Sequence, residues 1–266
     1  MRQKPEVKSQ FVIYEGAGHG FAVRADPGNE KVSKGTQTER LITRYPQLAS
    51  IATGDLLRDH VKRKTDVGEQ ANAFMKSGKL VPDPLILNLI LTELTDRKWL
   101  QSSKSNERIM KDLEKQGDPS ETAVQPSDDP DTSFILDGFP RTATQADALA
   151  RLLPMNLVFH LVTPIEIVLK RMASRWTHLA SGRVYNVGFN DPKVAGKDDV
   201  TGEDLVQRED DSEATWRKRL TTFDETSVPL LDYYRKKHPE MVVEVAGNSS
   251  NEISPRIYSE IERRFC

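Results

Sequence analysis

Phe134-Ile135-Leu136-Asp137-Gly138-Phe139-Pro140-Arg141-Thr142-Ala143-Thr144-Gln145 decides the fold. Phe134-Ile135-Leu136 is a short apolar run that ends on a carboxylate. Gly138 and Pro140 break the chain, and Arg141 and Gln145 are presented just beyond. A buried strand with charge gathered at its carboxyl end is how open α/β sheets build ligand sites. On spacing alone, a strand, a turn and a helix start with ordinary surface charges fit equally well.

Working outward, the pattern repeats. Downstream, Leu157-Val158-Phe159-His160-Leu161-Val162 and Met241-Val242-Val243-Glu244-Val245 read as further strands. The helix expected over residues 144–153 precedes the first of them. A second helix opens at Pro164 and runs to about Arg175, with Arg171 and Arg175 at i, i+4 on one face. A long helix over residues 212–227, another ending at Tyr233-Tyr234, and a closing helix over residues 253–265 complete this half. Upstream, Ile51-Ala52 ends in Thr53-Gly54, and Asp55 suits the first turn of a helix. Residues 66–78 and 85–94 form two more helices, the last apolar nearly all round and therefore buried. Strands alternating with helices predict a parallel sheet covered on both faces.

Two stretches depart from that rhythm. Residues 101–132 are polar and rich in Pro and Ser, which predicts an exposed, partly disordered insertion with at most a short helix near residues 109–113. Residues 177–212 mix Gly, Asp, Thr and Asn with alternating Val184, Tyr185, Val187 and Phe189, which predicts a small β excursion.

Bulk properties narrow the class. The 266 residues suffice for one large α/β domain with inserted lobes or for two smaller ones. A net charge of -2 gives no basic field for nucleic acid. Cys266 is the single cysteine, so neither a disulfide framework nor a cysteine metal site is possible and a reducing compartment is expected. No apolar run reaches the roughly 18 residues of a membrane span, and residues 1–10 lack the apolar core of a secretory signal.

The chemistry lies in the basic residues that follow strand ends or line the excursion: Lys34, Arg58, Arg141, Arg171, Arg175, Arg208 and Arg219. In a doubly wound sheet these positions face one cleft. Guanidinium forks suit phosphate oxygens, and phosphoryl transfer asks mainly for positioning and charge neutralisation. There is no nucleophile elbow with a Ser-His-Asp order.

Five segments resemble the adenylate kinase family in that family's order. Residues 134–145 look like its signature; Thr53-Gly54-Asp55-Leu56-Leu57-Arg58 and Gly78-Lys79-Leu80-Val81-Pro82-Asp83 look like its AMP-site segments; Arg183-Val184-Tyr185 and Arg208-Glu209-Asp210-Asp211 look like its long lid. The resemblance implies a P-loop-type doubly wound α/β sheet with an AMP-binding helical insert at 53–82 and a small β lid at 174–211. The core would comprise 34–52, 83–173 and 212–266, interrupted by the 101–132 insertion, with 1–33 a segment foreign to the family. It implies AMP contacts from Thr53, Arg58, Lys79, Leu80, Val81, Gly138, Arg141 and Gln145. Lys34, Gly35, Thr36, Arg171, Arg175, Val184 and Tyr185 would meet the nucleoside triphosphate. Lys34, Asp137, Arg141, Arg175, Arg208 and Arg219 would form the catalytic set, with Asp137 holding Mg²⁺ through water. His178, Ser181, Asp198 and Thr201 fall where some relatives place four zinc-binding residues; none is Cys, so this lid resembles the metal-free kind held by hydrogen bonds. Ser174-Arg175-Trp176-Thr177-His178 is most similar to the mitochondrial GTP:AMP branch, implying GTP as donor, a matrix location and a monomer that binds neither nucleic acid nor membrane.

The amino end departs from the family. The resemblance begins at Ser33 or Lys34, and Glu30 and Val32 precede it where a glycine-rich loop should wrap phosphate. A carboxylate there repels phosphate, and non-Gly residues resist the positive φ of a phosphate nest. Residues 12–24, with Gly18-His19-Gly20-Phe21, resemble the C-terminal region of dienelactone hydrolases, where such a segment carries the catalytic His. Phe11-Val12-Ile13-Tyr14 and Phe21-Ala22-Val23 read as two possible strands; first strand and P-loop of the family are thus expected to be replaced, with Phe21-Ala22-Val23 a short candidate for the substitute. Three functions stay open: a kinase, impaired by the missing loop; an AMP-binding remnant from a fused or mispredicted gene; and a hydrolase resting on His19 alone. The fusion hypothesis is checked by sequencing the transcript, which is expected to lack continuity across residues 20–45; a continuous, translated message encoding them as written overturns it.

Overall fold

The computed structural model describes residues 10–15, 37–114, 124–127, 133–153, 155–181, 183–188, 190–207 and 213–265. Strand β1 (Gln10–Glu15) comes first, then helix α1 (Gln37–Arg44), strand β2 (Leu48–Ala52) and helices α2 (Thr53–Lys62), α3 (Asp66–Lys76) and α4 (Asp83–Asp96). Strand β3 (Leu100–Ser102), helix α5 (Asn106–Glu114) and strand β4 (Val124–Pro126) form an excursion before strand β5 (Ser133–Asp137). Helix α6 (Ala143–Leu152), strand β6 (Leu157–Val162) and helix α7 (Ile165–Ala173) lead to a ribbon of β7 (Arg175–Thr177) and β8 (Val184–Asn186). Helix α8 (Glu213–Lys237), strand β9 (Val242–Ala246) and helix α9 (Ser250–Phe265) close the chain.

The main sheet has five strands in the order β2-β5-β1-β6-β9, all pairs parallel. Period-two alternation sorts its side chains between two cores. Phe134, Leu136 and Val158 face one layer with Leu57, Ile90, Leu149 and Leu230. Ile135, Leu157, Phe159 and Leu161 face the other, against Leu41 of α1 and Ile253, Ile257 and Ile261 of α9. Chain order reverses across β1, which puts the ligand crevice at the carboxyl ends of the central strands.

The first strand is present. It is formed by Gln10–Glu15, with Gln10 opposite Phe134 and Phe11 opposite Leu157; residues 21–23 and His19 lie outside the described residues. Four consecutive aromatic or β-branched residues, Phe11 to Tyr14, make the longer and stronger strand former.

Three expectations are corrected. Helix α7 ends at Ala173, where the Ser174 hydroxyl donates to the Arg171 carbonyl at 3.2 Å, so Arg175 opens β7 and does not share a helix face with Arg171. Helix α8 runs unbroken through Pro229 although two helices were expected there. Proline removes one backbone bond, but Trp216 and Leu220 before it and Leu230, Leu231 and Tyr234 after it are all buried, and that burial carries the helix across. The described part of the 101–132 stretch is folded. Strands β3 and β4 pair antiparallel, Lys104 Nζ meets Asp112 at 2.8 Å, and Arg151 of α6 donates to the carbonyls of Asp112 and Leu113, each at 2.8 Å. Ile109 is 1 % exposed, with Met110 and Leu113 packed beside it. One apolar edge on α5 is enough to dock an otherwise polar excursion.

Ile109→Ala is accordingly expected to lower the unfolding free energy by roughly 2–4 kcal/mol in urea denaturation. A loss below ~0.5 kcal/mol, the range of surface substitutions, would mean that α5 does not dock.

Candidate active site

Three strand ends meet at Asp137, which pairs with Ala52 of β2 on one side and Ile13 of β1 on the other. Asp137 is 7 % exposed. Its side chain accepts from the Thr38 hydroxyl of α1 at 3.1 Å, and its carbonyl accepts from the buried Thr53 hydroxyl at 3.0 Å. Gly138 follows with φ +76; a Cβ there would lie 2.8 Å from Thr53 Oγ1 and 3.0 Å from Arg141 Nη2, so only glycine lets the chain turn this tightly.

A cleft of about 650 Å³, open mouth included, lies over this turn. All eight residues that the sequence assigns to AMP line it. Thr53, Arg58, Lys79 and Leu80 come from α2 and the α3–α4 connection; Val81, Gly138, Arg141 and Gln145 complete the wall. Arg58 pairs with Asp55 one turn earlier, and Arg141 Nε donates to the Gly138 carbonyl at 2.7 Å. Thr142 caps α6 by accepting from the Gln145 amide at 3.1 Å, which fixes where Arg141 and Gln145 emerge. Sequence reasoning missed the apolar lining of Leu57, Met75, Ile86 and Phe139. Leu57 stands four residues after Thr53 on one helix, so the helical period was the available signal.

Arg175 and Arg219 reach the same cleft from the lid ribbon and α8. Arg175 is 1 % exposed. The buried Trp216 indole is close to both guanidiniums, its ring centroid 5.4 Å from Arg175 and 4.7 Å from Arg219, and Arg219 also donates to the Met75 carbonyl at 3.2 Å. Trp216 was not foreseen, although its i, i+3 spacing from Arg219 signals the contact. The other residues that the resemblance assigns to the triphosphate are placed differently. Arg171 donates to the Asn248 carbonyl at 2.8 Å, beyond the end of β9. Val184 and Tyr185 are packed inside the lid. Lys34, Gly35, Thr36 and Arg208 lie outside the described residues.

The lid is tied together at Asp198. Arg183 donates to it with both Nε and Nη2, at 2.7 and 2.6 Å, while the hydroxyls of Tyr185 and Thr201 donate at 3.0 Å each. His178 Nδ1 shares a hydrogen bond with the Ser181 hydroxyl at 2.7 Å, and its Nε2 contacts Glu203. The four positions singled out in sequence thus belong to one hydrogen-bonded cluster, whose hub is held well below the usual carboxylate range chiefly by the Arg183 fork.

Burial acts in the opposite direction on Asp137. Desolvation, aided by the charge of Asp55, pushes its carboxyl up to about 6, against the Thr38 hydrogen bond and the positive charges of Arg141 and Arg58. Between pH 4 and 6 the native state therefore holds a proton that the unfolded chain releases, so this group's contribution to stability falls as pH rises through that window. Asp137→Asn, in the absence of divalent cations, is expected to raise stability above pH 6 by up to roughly 3 kcal/mol, with the gain vanishing below pH 4. Urea unfolding at pH 4 and pH 8 checks this; a variant less stable than the parent at pH 8 contradicts it.

Comparison with known proteins bears on what the cleft is. The family model described as adenylate kinase matches residues 26–104, starting before the Ser33 or Lys34 boundary seen in the sequence, and the adenylate kinase active site lid matches residues 175–210. A mitochondrial GTP:AMP phosphotransferase of Saccharomyces cerevisiae is 38 % identical over 237 residues, covering 87 % of this chain and 88 % of the relative. An adenylate kinase of Chloroherpeton thalassium is 40 % identical over 228 residues, covering 84 % and 89 %. The mitochondrial GTP:AMP phosphotransferase of Drosophila melanogaster is 37 % identical over 222 residues, covering 84 % and 87 %. A parallel sheet with a cationic cleft at its carboxyl edge, a lid matched on its own, and relatives aligned over most of both chains lead to one conclusion: this chain belongs to the adenylate kinase family and is a phosphotransferase of the nucleoside monophosphate kinase type.

Proposed function

We propose that the chain transfers a phosphoryl group reversibly from a nucleoside triphosphate, GTP in the first place, to AMP, giving a nucleoside diphosphate and ADP. The observation that carries this is the cleft, whose lining combines Thr53, Val81 and Gln145, suited to a base, with Arg58, Arg141, Arg175 and Arg219, suited to phosphates. Arg58 and Arg141 hold the AMP phosphate as attacking group. Arg175 and Arg219, both packed near the Trp216 ring, spread the charge that develops on the transferred group, with Arg208 and Lys34 joining them. The lid closes over the reacting groups and excludes water.

The Asp137 side chain fits a hard cation. It is a buried carboxylate, and the one donor to it among the hydrogen bonds described above is the Thr38 hydroxyl, an arrangement that a positive charge nearby would relieve. Asp137 would hold Mg²⁺ through water, and the ion would neutralise phosphate charge. The names of the yeast and Drosophila relatives support a mitochondrial location and GTP as donor; within the mitochondrion, the matrix is the compartment we propose. The protein acts as a monomer.

The triphosphate half is the weak half. Glu30 and Val32 precede Lys34 where backbone donors should cradle phosphate. Losing such donors costs on the order of 3 kcal/mol each, by analogy with oxyanion-hole deletions. The chain is therefore expected to bind AMP and to turn over slowly with GTP. A coupled assay with GTP, AMP and Mg²⁺ is expected to fall well under the ~1–100 s⁻¹ usual for kinases; turnover inside that range refutes the impairment, and absence of AMP binding refutes the assignment of the cleft.

A further inference from the structure

Gln145 is 2 % exposed, lines the cleft, and is held at both ends of its amide. Its Nε2 donates to Asp83 Oδ1 at 2.7 Å, and its Oε1 accepts from the backbone N–H of Arg141, also at 2.7 Å. A carboxylate oxygen accepts and a backbone N–H donates, so the two neighbours, from different parts of the chain, demand the same orientation of the amide. Turning the amide over would set Oε1 against the carboxylate and the NH₂ against an N–H. One hydrogen on Nε2 and one lone pair on Oε1 remain for a ligand.

We propose that Asp83 is the specificity-determining residue of the monophosphate site: it fixes the Gln145 amide so that the cleft accepts a 6-aminopurine and rejects a 6-oxopurine. This rests on the assignment of the cleft to AMP and goes one step beyond it. The 6-amino edge of adenine carries a donor at N6 and an acceptor at N1. A 6-oxopurine carries the reverse, an acceptor at O6 and a donor at N1. An amide pairs with either edge, but only after turning over between them. A freely turning glutamine therefore discriminates poorly, whereas a locked one leaves a buried mismatch with the wrong base. Asp83 stands at the first turn of α4 and does not itself line the cleft, so its effect is exerted through Gln145.

The test is calorimetric binding of AMP and of inosine monophosphate, which differ at this edge of the base, to the parent chain and to Asp83→Asn and Asp83→Ala. Asn is isosteric and presents either an oxygen or an NH₂ to Gln145, so it removes the half of the lock that Asp83 supplies, leaving the Arg141 N–H, while keeping the shape. The parent is expected to favour AMP by roughly 10- to 100-fold, in line with the discrimination of one bidentate amide–adenine pair. Both variants are expected to shrink that ratio several-fold, chiefly by binding inosine monophosphate more tightly. A ratio unchanged in the variants, with circular dichroism showing them folded, overturns the role of Asp83, because a residue that merely supports α4 would weaken both ligands alike. If Asp83→Ala does not fold, Asp83→Asn alone decides. A parent that binds neither nucleotide overturns the cleft assignment, and this inference with it; a parent that binds both equally overturns only the inference.

Discussion

Everything in the cleft hangs on a carboxylate buried at the end of a strand. Asp137 closes β5, takes the Thr38 hydroxyl on its side chain and the Thr53 hydroxyl on its carbonyl, and so ties α1 and the β2–α2 junction to one point. That point is held at an electrostatic cost, since burial disfavours the charged form of Asp137. Folding tolerates the cost because large apolar layers flank it on both faces of the sheet. Sites of this kind concentrate where a local rule of stability is broken and the surroundings hold the break in place.

The cationic side is organised by packing as much as by charge. Arg175 would be hard to bury next to Arg219 without compensation, and Trp216 supplies it, offering an aromatic face near each guanidinium. Val168 and Leu169 of α7 seat the indole, so the helix before the lid and the helix after it share one small apolar cluster. Arg219 also reaches the Met75 carbonyl, which connects α8 to the helical insert across the cleft. Lid, core and insert are therefore coupled through contacts that involve no nucleotide.

Much of this was legible from residues 134–145 outward, for stated physical reasons. The strand ending at Asp137, the glycine after it and the emergence of Arg141 and Gln145 follow from chain chemistry alone, and the structure gathers in one cleft all eight positions that the family resemblance assigns to AMP. Other features were hidden because burial overrides local signals. Pro229 reads as a helix break, yet burial on both sides of it carries α8 through. Arg171 and Arg175 read as one helical face, yet the helix ends between them. The excursion after β3 reads as polar surface, yet the edge around Ile109 docks it. The pairing of Asp83 with Gln145 joins residues far apart in the chain, and no spacing rule reaches that far.

The placement of β1 has a consequence for how the molecule assembles. Its central slot in the sheet is filled by the earliest-made segment, but its partners are made late: Gln10 waits for Phe134 and Phe11 for Leu157. Pairings of such long sequence separation must meet the loop-closure entropy before they return any contact energy. During synthesis β1 therefore emerges with both hydrogen-bonding edges open, and the sheet cannot be completed from the amino end. Among the described strands, the one made first is thus the one that waits longest for its partners.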